Sequence, residues 1–108
     1  MNVIIQLQDG RICSGSWDDI IKIWDISSCI CERTLTGHTS CVSTLVELFD
    51  GRLCSGSFDH TIRLWNIEAG VCVQVLTGHT SPVRAVLQLK DGRIYSASFD
   101  GAIKIWSP

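Results

Sequence analysis

Three residue types that together can activate a nucleophile recur along this chain. His38 precedes Ser55, Ser57 and Asp59; His79 precedes Ser96, Ser98 and Asp100; Ser14, Ser16 and Asp18 repeat the pattern without a histidine. In a hydrolase the serine attacks, the histidine takes its proton and the aspartate orients the imidazole. Such a serine is single, exposed on a strained turn and placed beside an oxyanion hole. Here the groups recur from copy to copy, and each set is followed by a tryptophan, Trp24, Trp65 or Trp106. Repetition argues for architecture, so no catalytic residue is assigned and the chain is read as not an enzyme.

The cysteines offer the other possible chemistry. Cys29 and Cys31 have a metal-like spacing, but a structural zinc site takes four ligands, and the second copy carries Gly70 where the first has Cys29. His60 stands in a turn where the other copies have Asp19 and Gly101, which reads as a solvated turn residue. No metal and no cofactor are expected. Cys13 and Cys54 are equivalent to each other and to Tyr95, an interchange no disulfide or metal site would accept. The six thiols are therefore expected to be reduced, small, buried hydrophobic residues.

The elements that must position these groups follow from the repeat itself. Asp9 to Asp18 (DGRICSGSWD) returns as Asp50 to Asp59 (DGRLCSGSFD) and as Asp91 to Asp100 (DGRIYSASFD), with a spacing of 41 residues both times. Leu35 to Ser40 and Leu76 to Ser81 are identical, LTGHTS. Each copy consists of short alternating or β-branched runs separated by Asp-Gly, Phe-Asp-His or Thr-Gly-His-Thr-Ser turns, with no sustained helical period. Asp9-Gly10 between two such runs is a strong hairpin signal. Eleven strands are predicted, near 3–8, 11–16, 20–25, 29–35, 42–48, 52–57, 61–66, 71–76, 83–89, 93–98 and 102–106. Lys22, Arg63 and Lys104, and likewise Arg11, Arg52 and Arg93, recur singly and read as shields of exposed faces and edges.

Gly37-His38 followed by Asp59, Trp65 and Asn66, Gly78-His79 followed by Asp100 and Trp106, and the dipeptide Trp24-Asp25 together resemble the WD40 repeat, over essentially the whole chain. The resemblance implies an all-β fold of four-stranded antiparallel propeller blades packed radially. It divides the chain into blade 1 (1–36), blade 2 (37–77) and blade 3 (78–108), the last without its outer strand, about 2.75 blades in all. It also implies a hydrogen-bonded network of histidine, serine, aspartate and tryptophan. In the second blade this is His38, Asp59, Trp65 and one of Ser55 or Ser57; in the third, His79, Asp100, Trp106 and one of Ser96 or Ser98. In the first it is Asp18, Trp24 and one of Ser14 or Ser16, and the assignment carries Ser16, Ser57 and Ser98.

In that family the strands are used up in packing, and partners meet the loops of the top rim. Carried over by position, the rim candidates are Trp17, Phe58 and Phe99, which precede the network aspartates, then Thr39, Cys41 and Ser43, then Thr80, Pro82 and Arg84. The resemblance implies a protein-interaction scaffold or adaptor. The alternative is a propeller binding a small ligand or glycan at one site per blade.

Nine Lys and Arg against eleven Asp and Glu give a net charge of −2 without a basic stripe, which excludes nucleic acid as the main expected partner. No apolar run approaches the roughly 20 residues that cross a bilayer, and no secretory segment is read at the start, so a membrane is not expected and the cytoplasm is. Closed propellers have four to eight blades. An open arc would expose apolar faces at both ends, so the chain is expected either to belong to a longer propeller or to join copies of itself head to tail, two giving about six blades and three about nine.

Overall fold

The computed structural model describes residues 3–107. All eleven predicted strands are present: β1 (Val3–Gln6), β2 (Ile12–Gly15), β3 (Ile21–Asp25), β4 (Ile30–Leu35), β5 (Val42–Glu47), β6 (Leu53–Ser57), β7 (Ile62–Asn66), β8 (Val71–Leu76), β9 (Val83–Gln88), β10 (Ile94–Ser98) and β11 (Ile103–Trp106). They form antiparallel sheets in the orders β1-β2-β3-β4, β5-β6-β7-β8 and β9-β10-β11. The arc of three sheets is open, an incomplete propeller. Residues 1, 2 and 108, which end the first and third expected blades, lie outside the described residues.

Local chemistry sets the strand ends. β1 stops at Gln6, short of the expected Gln8, because Asp9-Gly10 closes a three-residue loop in place of a two-residue turn. The Gly10 amide donates to the Leu7 carbonyl at 2.9 Å and the Leu7 amide to the Arg11 carbonyl at 2.8 Å, a type I turn completed by a left-handed residue. β4 begins at Ile30 because Cys29 is itself left-handed, with φ 58°, at the turn where Gly70 has φ 69° in the second copy. The Cys29/Gly70 exchange is thus a matter of turn geometry.

The sheets stack through their faces, and each junction is a separate apolar cluster. Leu7, Cys13, Ile21, Ile23 and Leu35 of the first sheet meet Val42, Leu45, Leu53, Trp65 and Ile67 of the second. Cys54, Ile62, Leu64 and Leu76 on the other side of the second sheet meet Val83, Val86 and Ile94 of the third. Each fully covered Ile or Leu contributes about 1.5–3 kcal/mol. Every residue of β6 is buried because its sheet is covered on both sides. On the far side of the third sheet Ile103 and Ile105 are 57% and 51% exposed, whereas the equivalent Ile21 and Ile23 are fully buried.

Gly56 explains how closely neighbouring sheets approach. A Cβ there would lie 2.7 Å from Val83 Cγ1 of the next sheet and 2.7 Å from Thr44 Cγ2 of its own. Polar ties cross the same junctions at the opposite end: the Gln8 amide donates to Glu47 Oε1, and the Phe49 amide to Gln88 Oε1, both at 2.7 Å. Arg11, expected only to shield an edge, pairs with Asp9 of its own hairpin at 2.7 Å and with Glu68 of the next sheet at 2.9 Å.

Candidate functional site

The polar residues come together first in the second sheet. Its positioning begins with Gly37, whose φ of 150° and crowding against Arg63 and Trp65, 2.9 and 3.3 Å from a would-be Cβ, disfavour any side chain. His38 follows, 6% exposed. Its Nδ1 lies 2.9 Å from Asp59 Oδ2 and its Nε2 lies 2.7 Å from Ser55 Oγ. The Trp65 indole Nε1–H donates to the same Ser55 oxygen at 2.8 Å. Asp59 also accepts from the Thr39 amide and the Thr61 amide, each at 2.9 Å, and from the Thr61 hydroxyl at 2.5 Å. Burial pushes the Asp59 carboxyl up, but the donors from His38, Thr61 and Thr39 outweigh it and hold it well below the usual carboxylate range.

This arrangement orders protons without activating a nucleophile. Asp59 fixes the proton of His38 on Nδ1, so Nε2 accepts from the Ser55 hydroxyl, whose oxygen is taken by Trp65. Ser55 is fully buried, so no substrate reaches it.

The serine assignment requires correction. Ser55 bridges, and Ser57 does not: its hydroxyl donates to the carbonyls of Ser40 at 3.0 Å and Cys41 at 2.9 Å, and it accepts from the Asp59 amide at 3.1 Å. In the third sheet Ser96 bridges His79 Nε2 at 2.7 Å and Trp106 Nε1 at 2.8 Å, while Ser98 donates to Asp100. In the first, Ser14 accepts from Trp24 Nε1 at 3.1 Å and Ser16 donates to Asp18. The register gives the reason: Trp65 lies across from Leu53, so its indole reaches Ser55, two residues along the same face, and Ser57 sits beyond it at the turn.

The third network also lacks a link the sequence led us to expect. His79 Nδ1 is buried without a hydrogen-bond partner, and Asp100 accepts instead from Ser98 and, at 2.9 Å, from the Ala102 amide. Burial, then the nearby Lys104 ammonium, pull the His79 imidazole below its ordinary range.

The β2-β3, β6-β7 and β10-β11 turns and the segments entering β5 and β9 lie at one end of the sheets, where the rim was expected. Trp17 and Phe99 are 63% and 57% exposed there. Phe58 is half-buried, its ring edge-on to Phe99 with centroids 5.4 Å apart. Thr39, Thr80 and Arg84 are exposed, and Pro82 is half-buried with its carbonyl accepting from the Phe99 amide at 3.0 Å. Two expected rim residues turn inward. Cys41 is 4% exposed, and its carbonyl takes the Phe58 amide at 3.0 Å. Ser43 sits at the register break of β5, and its hydroxyl donates to the Gly56 carbonyl at 3.2 Å and to the Val83 carbonyl of the next sheet. Ser43 thus ties two blades together.

His60 is exposed with φ 74°, matching the expected turn residue. Cys13, Cys41 and Cys54 are buried as expected, but Cys29 is exposed and Cys31 and Cys72 are half-exposed, all six as free thiols. Sequence reasoning missed Thr61, which holds Asp59; it is the only hydroxyl among the equivalents Ile20, Thr61 and Ala102. It also missed Phe49, 62% exposed at the end opposite the rim. Among the described residues no cluster of three or more His, Cys, Asp or Glu could hold a metal ion.

Eleven strands in two four-stranded and one three-stranded antiparallel sheets, stacked face to face, with a Trp-Ser-His-Asp network in the second, define a propeller of the WD type. The family described as "WD domain, G-beta repeat" matches residues 6–25, 29–66 and 70–107, and the chain belongs to this WD40-repeat family. Among solved structures it is similar to the WD40 β-propeller domain of Doa1, with a TM-score of 0.87, 32% identity and 97% of this chain covered. The chain spans 36% of the length of that one. WD40 propellers generally act as protein-interaction scaffolds without catalysis.

Proposed function

We propose that this chain is a non-catalytic scaffold or adaptor segment that holds a partner protein or peptide at its rim. The observation that supports this is the exposure of Trp17 and Phe99, 63% and 57%, on turns anchored by buried strands. Exposed aromatic side chains on a rigid support lose little entropy on binding and serve as interface anchors. Thr39, Thr80, Pro82 and Arg84 border them. Arg84 makes no ion pair among the described residues, which suits a partner carboxylate.

The alternative of one small ligand or glycan per blade requires three equivalent pockets. Phe58 packs edge-on against Phe99, whereas Trp17 is largely exposed, so the aromatic positions differ. The inequality favours one extended contact. Nucleic acid and membrane are not among the partners proposed, and the cytoplasm is the proposed setting. The uncovered Ile103 and Ile105 suit a further blade, supplied by a second copy or by a longer chain.

Replacing Phe58 and Phe99 with Ser tests the reading. Partner capture weakened with folding retained supports it; capture unchanged, or folding lost with it, overturns it.

A further inference from the structure

The three repeats hold their network aspartate in two different positions, and one residue correlates with the difference. Asp59 is turned inward onto His38 Nδ1, and Ser57, freed from the carboxylate, ties down the carbonyls of Ser40 and Cys41 in the loop entering β5. Asp18 and Asp100 are turned outward, each accepting from the serine two residues before it, Ser16 or Ser98. The residue two positions after the aspartate is Ile20, Thr61 or Ala102. Only Thr61 has a hydroxyl, and that hydroxyl lies 2.5 Å from Asp59 Oδ1 and 3.4 Å from His38 Nδ1.

We propose that the hydroxyl at this position selects the inward carboxylate, so that Thr61 locks the second repeat while Ala102 leaves the third with a movable latch whose Asp100 exchanges between Ser98 and His79. Thr61 is a positioning residue. With its hydroxyl and amide both on Oδ1, the carboxylate presents Oδ2 to His38 Nδ1 and the Thr39 amide together. Without the hydroxyl only the amide of residue 102 remains on Oδ1 of Asp100, and the neighbouring Ser98 hydroxyl competes for the group. The outward position leaves His79 Nδ1 buried and unpaired. The Asp59 carboxylate pairs with His38 Nδ1, whereas His79 Nδ1 has no carboxylate to pair with. The latch residue Asp100 immediately follows the exposed rim aromatic Phe99 in the chain.

The ring nitrogens report this on the intact chain. Nitrogen-15 NMR at neutral pH is expected to find a hydrogen-bonded, slowly exchanging Nδ1–H on His38 and no such protected Nδ1–H on His79. In Ala102→Thr a protected Nδ1–H appears on His79, and in Thr61→Val, which keeps the shape without the hydroxyl, that of His38 loses its protection. Ala102→Ser supplies the hydroxyl without β-branching should the Thr variant fold poorly. A protected Nδ1–H on both His38 and His79 in the wild-type chain, or none on His79 in the folded hydroxyl variants, overturns the proposal.

Discussion

The Ser55 hydroxyl oxygen lies 2.7 Å from Nε2 of His38, 17 positions earlier in the sequence, and links a loop to the middle strand of its sheet. Removing it in Ser55→Ala leaves two buried groups unpaired, the His38 nitrogen and the Trp65 indole N–H. Each unpaired group costs about 1–3 kcal/mol. Ser16, half-exposed in the first sheet, carries no such bridge, and Ser16→Ala is expected within about 0.5 kcal/mol of wild type. Equilibrium urea unfolding of the two variants compares them directly.

Gly56→Ala adds a methyl where Val83 and Thr44 already stand 2.7 Å away. The neighbouring sheet must shift, at a cost of about 1–3 kcal/mol. Gly51→Ala lies in open space but at φ 91°, so it tests backbone strain without packing. The expected signature of Gly56→Ala is a lower unfolding midpoint together with faster amide exchange in β9.

Acid should weaken the fold in two stages. His79 has its ionisation lowered by burial and then by Lys104, so the folded state favours the neutral ring. Its contribution is present above the ordinary histidine value of about 6.5 and is lost as pH falls through that region. Asp59 is lowered because the donors from His38, Thr61 and Thr39 overcome burial, so its contribution is present above about 3.9 and lost below it. Unfolding midpoints at pH 7, 5 and 3 should fall at each step, and His79→Gln should flatten the first.

Thiol reactivity should divide the cysteines by exposure. Burial pushes the Cys13 and Cys54 thiols up to about 12, and Cys41 is 4% exposed. Alkylation of the native chain at pH 8 should therefore label Cys29, Cys31 and Cys72 first, and mass spectrometry should find the other three modified only after unfolding.

The repeat made the strands legible, because a 41-residue spacing aligns turn residues, apolar alternation and tryptophans three times over. It could not say which serine bridges, since Ser55 and Ser57 lie on the same face and only the Trp65-Leu53 register separates them. Nor could it show that Ser43 turns inward, because the register break in β5 redirects a side chain that strict alternation would place elsewhere. The inward histidine link looked general from the sequence; the missing hydroxyl at Ala102 shows where it fails.

A photoreactive phenylalanine analogue placed singly at Trp17 or Phe99, and at Phe49 or Ile26 on the opposite end of the sheets, asks most directly which end binds. The expected result is partner protein crosslinked from Trp17 and Phe99 and little from Phe49 or Ile26. Crosslinking confined to Phe49 and Ile26, or equal from both ends, would contradict a rim-binding scaffold.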